Sequence, residues 1–366
     1  MMRLYAAGCS LTGVLCLVGV ARGNVIDYTD YDITFDPFEF NVFSLGDIGT
    51  TSAAYHSDFQ GIAGLGGDAY FSSFSLHDIA TAGPGTPTSL YAGGDVRITG
   101  SINNGGIEAG GSVFVNGANV DGTIRTGGDL DGTGGTVLGD AVLGGSDLTG
   151  LPVTVFGTVS TGVSFEASLD LSEVSEFFLD TSSLIGGMPA TTPALLQYGE
   201  ILIDVESGIN VVEISSAALN AAWGVRISGP ADATLIINVP DAMVAFDALV
   251  WNYQNGMSAG HTLLNLASAS TFSLSNGDHQ VNILAPRADT YFPHGLVTGN
   301  LIAGSLIGGG QVNDGGFEGQ IPEPTTLGLM GIGACALLLA RRRPGASGPR
   351  AATAVNRRCT VGSRRS

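Results

Sequence analysis

The stretch Ala92-Gly93-Gly94-Asp95-Val96-Arg97-Ile98 recurs as Ala109-Gly110-Gly111-Ser112-Val113-Phe114-Val115 and again as Thr126-Gly127-Gly128-Asp129-Leu130, each copy 17 residues after the last. Every copy sets a turn-forming Gly-Gly before a short alternating run. Between Gly93 and Gly150 there are 18 glycines, a density that excludes helices and suits tight corners between short strands. Looser copies flank the regular ones at irregular intervals: Leu45-Gly46-Asp47-Ile48, Gly66-Gly67-Asp68-Ala69-Tyr70 and Leu138-Gly139-Asp140-Ala141-Val142. Short strands at a near-constant period are the signature of a stack of rungs that buries one continuous core. The expected fold is mainly β, a β-solenoid (β-helix) read as right-handed.

The pattern changes between Phe165 and Tyr198. Asp170 stands where an N-cap would, Glu173 is three residues on, and Leu171, Val174 and Phe178 fall on one helical stripe. One flanking amphipathic α-helix is expected inside an insertion spanning about 166–199, with Pro189 and Pro193 marking a loop. Strand-like runs then return at Ile201–Val205, Ile209–Ile214, Trp223–Ile227, Ala233–Val239, Thr262–Leu266 and Gln280–Leu284. The stretch from Asn300 to Asn313 regains the glycine-punctuated character, so it is expected to stack on the earlier rungs.

The two ends read as addresses. Arg3, the apolar run Leu11–Val20 and the small residues Ala21 and Gly23 form a signal peptide over 1–23, with signal peptidase cutting before Asn24. At the other end Pro322-Glu323-Pro324 precedes an apolar segment, 325–340, and then Arg341, Arg342 and Arg343. The segment reaches about 24 Å as a helix, enough for a thin or transient transmembrane span with its arginines in the cytoplasm. Between these ends lies an extracellular domain, 24–320. Residues 344–366 form a basic cytoplasmic tail expected to be disordered.

Composition narrows the chemistry. The four cysteines, Cys9, Cys16, Cys335 and Cys359, all lie outside the body, which therefore has neither disulfides nor thiol catalysis. Lysine is absent, and between Asn24 and Pro324 only Arg97, Arg125, Arg226 and Arg287 face 33 acidic residues, a net charge of −29. Nucleic acid is excluded as a partner by that field. The five histidines, His56, His77, His261, His279 and His294, show no paired metal-ligand spacing; no GxSxG elbow occurs, and a P-loop needs the missing lysine. Calcium is the one cofactor the acids allow, at Asp27, Asp30 and Asp32 or at Asp129 and Asp131, although neither group matches an EF-hand loop or a GGxGxDxUx repeat and solvated carboxylates are the simpler account of both. Trp223, Trp251, Tyr253 and Tyr291 are core or rim aromatics with no site pattern.

The C-terminal block, Pro322-Glu323-Pro324 with its short apolar span and arginine cluster, resembles the PEP-CTERM tail. That resemblance implies export through the Sec translocon, a transient inner-membrane intermediate, processing by an exosortase, and final placement at the cell surface or in the extracellular matrix of a Gram-negative bacterium. The body is similar to the choice-of-anchor A family in Phe40-Asn41-Val42-Phe43-Ser44-Leu45-Gly46-Asp47, in its Gly-Gly-Asp rungs, and in Asn282-Ile283-Leu284-Ala285-Pro286 followed by Leu301–Phe317. This implies a β-helical adhesin. A helix beside a solenoid also resembles ice-binding-type domains. The function expected is a non-catalytic surface or matrix adhesin contacting extracellular polysaccharide or another cell. The alternatives are a β-helical polysaccharide-cleaving enzyme, for which the body is short of cationic groups, and, behind it, an ice-binding protein, for which Thr-x-Thr repeats are few.

Overall fold

Each 17-residue repeat forms one turn of three short strands separated by three corners. A computed structural model of the chain describes residues 31, 33, 35–76, 88–148 and 153–321. In it Ile107–Ala109, Val113–Val115 and Ala118–Val120 are followed one turn later by Ile124–Thr126, Leu130–Gly132 and Gly135–Val137. Parallel pairing puts like on like, with Ile107 against Ile124, Val113 against Leu130 and Val120 against Val137. A three-residue strand points its first and last side chains inward and its middle one outward. The inward positions are closed to solvent: Leu90, Ile107, Ile124 and Ala141 on one wall, Val96, Val113 and Leu130 on the next. The result is a mainly β fold of stacked parallel sheets with helix at its side.

The chain does not climb the stack from end to end. It begins in the middle. In the fourteen-stranded sheet the opening strand Phe40–Ser44 pairs on one edge with Ile62–Leu65 and on the other with the closing strand Leu301–Gly308. From the opening strand the rungs run outward to Val159–Ser160 at one end. The chain then passes to the opposite end at Gly208–Glu213 and works back through Ala233–Asn238, Thr262–Asn265 and Asn282–Phe292 to the closing strand. An eleven-stranded sheet carries the other walls of these rungs. A four-stranded sheet, with the antiparallel strand Leu195–Gln197 at its edge, belongs to the second half alone.

Two fully buried asparagines sew the seam where start meets finish. Asn41 donates its Nδ2 to the carbonyls of Gly299 (3.0 Å) and Asn313 (2.9 Å), while Asn300 donates to those of Phe38 (2.9 Å) and Phe40 (2.6 Å). Each side chain also serves as an acceptor, Asn41 for the Gly61 amide and Asn300 for that of Phe317. Asn282 repeats the device one rung away, taking the Asn300 amide at 2.9 Å.

The helix α1, Leu171–Gly186, is capped by Asp170, whose Oδ1 accepts from the amides of Ser172 and Glu173. The Ser172 hydroxyl, which donates to the same oxygen, together with those amides holds the Asp170 carboxyl below its usual range. Val174, Phe177, Phe178 and Ile185 form its buried stripe, packed with Phe43, Val211, Ile236, Leu263, Leu284 and Ile302 in a second apolar cluster. These outward residues are apolar because the helix, not water, covers them. On the helix side of the same wall, Asn265 and Ser182 bond to each other (2.6 Å), and Asn238 donates to the Ile185 carbonyl.

Two details differ from the sequence expectations. The segment expected to be a strand over Gln280–Leu284 runs instead from Asn282 to Phe292, through Pro286, because its register shifts between Ala285 and Asp289 as it rounds a corner. A six-residue helix α2, Ser216–Ala221, capped by the Ser215 hydroxyl, is too short to show a period. Signal peptide, apolar tail segment and Arg341–Arg343 lie outside the described residues; among those described, no helix is long and apolar enough to cross a membrane.

Two predictions follow from this packing. Asn300→Ala leaves two buried carbonyls and one amide without partners, and is expected to cost about 3 kcal/mol in denaturant unfolding, whereas the exposed Asn252→Ala is expected to cost little. His279 is fully buried, edge-on to Phe246 at 5.3 Å, with its Nδ1 unpartnered. Burial pushes its pKa down against the opposing pull of the Ser275 and Asn276 backbone, Asp278 and Asp247. The unfolded chain therefore takes the proton first, so the stability held above about pH 6.5 declines as pH falls through that value towards the folded one. In His279→Leu that part of the decline is expected to vanish from unfolding curves taken across the same range.

Candidate functional site

The corners explain the repeat. The Asp47 carboxylate accepts the Asp68 amide (2.8 Å), Asp68 the Asp95 amide (2.7 Å), Asp95 the Ser112 amide (2.7 Å), the Ser112 hydroxyl the Asp129 amide (3.1 Å), and Asp129 the Ser146 amide (2.7 Å). Each acid thus satisfies the amide that the next rung would otherwise leave unpaired at the bend. Both glycines are required by contact. A Cβ on Gly94 would lie 2.1 Å from Asp68 Oδ1, and one on Gly93 would lie 2.3 Å from the Gly66 carbonyl oxygen. Gly139-Asp140 belongs to a different corner, where Asp140 receives the Thr158 amide (2.7 Å) and donates its own to Thr123 (3.3 Å). That is why its interval looked irregular. The same ladder adds Gly144-Gly145, which the sequence motif had passed over.

Asp129 is therefore a corner acceptor, and Asp131, on the outward side of its strand, accepts the Gly132 amide at 2.7 Å. Among the described residues no group of three or more His, Cys, Asp or Glu side chains is placed to hold a metal ion. Asp27, Asp30 and Asp32 lie outside them, as do His77, Ala21, Gly23, Pro322, Glu323, Pro324, Arg341, Arg342 and Arg343. Of the other histidines, His56 bonds to the Ser72 carbonyl (3.0 Å) and His261 to the Ser258 hydroxyl (3.1 Å). None of the described ones meets another.

What the rungs present outward is an ordered surface. One column passes Ala245, Ser273, Tyr291 and Ile307, meets the bare, buried Gly49 at the seam, and resumes through Tyr70, Arg97, Phe114 and Asp131. The Arg97 guanidinium sits 3.9 Å from the centre of the Phe114 ring, a stacked cation on an aromatic. Met243, Thr271, Asp289 and Ser305 run alongside. Met243 is 74% exposed and Tyr291 54%. Another wall carries small polar residues in register, Ser75, Ser101, Asn119, Thr136 and Thr154, with Thr136 donating to Asn119 at 2.6 Å. Parallel strands space such residues about 4.8 Å apart. This flat, repeating, part-apolar surface fits an extended ordered partner better than a single small molecule. The signal for it was present in the sequence: Arg97, Phe114 and Asp131 each follow a Gly-Gly pair by three residues, at the same 17-residue spacing.

Residues 38–314 match the family model described as "Putative Ice-binding-like adhesive domain", and residues 320–343 match the PEP-CTERM protein-sorting motif. The first match overturns the resemblance to the choice-of-anchor A family; the strand-corner features behind that resemblance are demanded by stacked rungs in general and do not single out a family. No curated protein matches the chain in sequence. An ice-binding protein from the Antarctic ascomycete Antarctomyces psychrotrophicus, known from its crystal structure, is similar over 79% of this chain and 97% of its own, with 10% identity and a TM-score of 0.35.

The corner geometry makes a direct prediction. Gly94→Ala is expected to destabilise by about 2–4 kcal/mol through backbone overlap and loss of the Asp68 bond. At Gly117, where φ is +68° and no atom lies within 4 Å of a built Cβ, Ala is expected to cost only about 1 kcal/mol. Thermal or denaturant melts of the two variants check the contrast.

Proposed function

The chain belongs to the ice-binding-like adhesive domain family, and on that basis we propose that it is an exported, non-catalytic surface adhesin whose flat outward rung columns grip an extended, regularly spaced surface. The observation that carries this reading is the family match across residues 38–314 together with outward columns held in register on both sides of the seam. Apolar, aromatic and hydroxyl side chains set in register on stacked strands can exclude water over a broad area while keeping hydrogen bonds at its margins. The scaffold is a right-handed β-solenoid in this proposal. Extracellular polysaccharide and neighbouring cell surfaces are the partners that fit a strongly acidic body best, polyanions being repelled.

Ice is the second reading, and the family description moves it ahead of polysaccharide cleavage, which the sequence had ranked above it. An enzyme acting on uronates needs cations at its site, and three of the four body arginines are spent elsewhere, Arg125 on Glu108 (3.6 Å), Arg226 on Glu200 (3.7 Å) and Arg97 on Phe114, which leaves Arg287 alone.

The motif at 320–343 supports a sorting route to the surface. Signal peptidase acts after Ala21-Arg22-Gly23, the span 325–340 holds the chain briefly in the inner membrane, and an exosortase acts near Pro322-Glu323-Pro324. Replacing Arg341, Arg342 and Arg343 together by Ala, or Glu323 by Ala, is expected to shift most of the protein from the surface fraction to an unprocessed membrane-bound form, read by fractionation and intact mass. Release of a variant at the normal rate and mass would remove this route.

For the contact surface, the test is retention of the secreted protein on the producer's own matrix and on ice, against a charge-matched control. Tyr291→Ala with Ile307→Ser is expected to lower retention about tenfold, the equivalent of about 1.4 kcal/mol, with an unchanged melting temperature. Equal retention of protein and control on both surfaces sinks the adhesive reading. Thermal hysteresis separates ice from glycan.

A further inference from the structure

We propose that a trough between α1 and the first-half rungs is a preformed binding site for a neutral saccharide chain, separate from the flat outward columns. It encloses about 920 Å³, within the range of specific small-ligand sites. Its floor is a run of bare corners: Gly66, Gly93 and Gly110 succeed one another on adjacent rungs, each pressed against the backbone of the rung before where such a rung exists. These exposed corners repeat at the strand separation, about 4.8 Å. A polymer of hexose-sized units matches such a period.

The walls carry the chemistry. Tyr91 and Phe165 are half-buried aromatics lining the trough, the kind of surface on which the apolar face of a sugar ring rests. Glu176, exposed on α1, has no hydrogen-bond or ion-pair partner among the described residues and is an acceptor for hydroxyls. Asp180 is steadied by the Tyr31 hydroxyl (3.0 Å) and the Arg287 guanidinium donates to Ser183 Oγ (3.0 Å), so an acceptor and a donor are held in place before a ligand arrives.

The wall formed by residues 165–170 is itself anchored. Glu108, 4% exposed, accepts from both the amide and the hydroxyl of Ser168 and pairs with Arg125, which in turn donates to the Glu166 carbonyl (3.1 Å). Both Glu108 oxygens are thus occupied, and its part is to position the wall. Four lining carboxylates, Glu108, Asp170, Glu176 and Asp180, against the single lining arginine, Arg287, turn away uronates and sulfated glycans. The charged margin likewise disfavours an acyl chain.

Calorimetry on the secreted protein tests this with neutral hexasaccharides of glucose, mannose and N-acetylglucosamine, hexagalacturonate as the anionic arm, and tetralysine as the cationic peptide arm. At least one neutral hexasaccharide is expected to bind with a Kd of about 1 mM or tighter, and hexagalacturonate not at all. Glu176→Gln, an exposed change, and Tyr91→Ala are each expected to weaken that binding about tenfold, with circular dichroism confirming the fold. No neutral sugar binding, equal binding by both variants, or tetralysine binding more tightly than every sugar would each overturn the proposal. Calorimetry with soluble hexasaccharides reads the trough, and retention on ice, which offers no saccharide, reads the outward columns, so failure of the adhesive reading and failure of the trough are read in separate assays.

Discussion

The pairing of the opening strand with the closing strand is the contact on which the rest of the molecule depends. Phe40–Ser44 and Leu301–Gly308 lie side by side, with Val42 against Leu301 and Phe43 against Ile302, though some 260 residues separate them in the chain. Without that pairing there would be two half-stacks, each with a bare sheet edge in the middle of the protein. The loop entropy of such a closure is repaid only when many groups are satisfied together. Asn41 and Asn300 supply this: each donates two bonds and accepts one, all to backbone, across or beside the seam. Because the rungs stack in register on both sides of the seam, the outward columns of the two halves share one lattice, with the bare Gly49 between Ile307 and Tyr70.

Helix α1 is the other consequence of beginning in the middle. A chain that leaves one end of the stack and resumes at the other must return along its side, and the returning segment can be helical because it covers an apolar wall. Val174, Phe177 and Phe178 on the helix meet Phe43, Ile236 and Leu284 on the strands. The wall is therefore apolar where the helix lies. Past the helix start it turns charged, with Glu108 and Arg125 in the same outward column as Phe43 and Tyr91. The trough forms at that change, between a helix that has ended and rungs that go on.

The acidity of the body also has a structural side. Asp47, Asp68, Asp95, Asp129 and Asp140 each spend an oxygen on the amide of a neighbouring rung. A serine does the same at Ser112, so the ladder needs an acceptor and not a charge. The negative field is thus in part a by-product of choosing the shortest carboxylate for a tight corner. Reading Asp129 and Asp131 from the sequence as ion ligands weighed their charge and had no means of weighing the amides they face.

Much of this was legible before any coordinates. Gly-Gly at a 17-residue interval dictates stacked strands, because only glycine lets one corner sit against the backbone of the next. The Asp170 cap and the stripe Leu171, Val174 and Phe178 mark the helix through local hydrogen bonding and burial alone. These are near-neighbour or periodic constraints, and the chain carries them in its own order. The family was not legible, since Gly-Gly-Asp rungs report the mechanics of stacking, which unrelated lineages share. Nor was the path of the chain. That Asn41 would meet Asn313, that Phe43 would lie beneath α1 and not in water, and that Tyr91 and Phe165 would line one trough all depend on which rung ends up beside which. Identical parallel edges leave that choice open to any local reading, and it is made only when the seam closes and the buried asparagines find their partners.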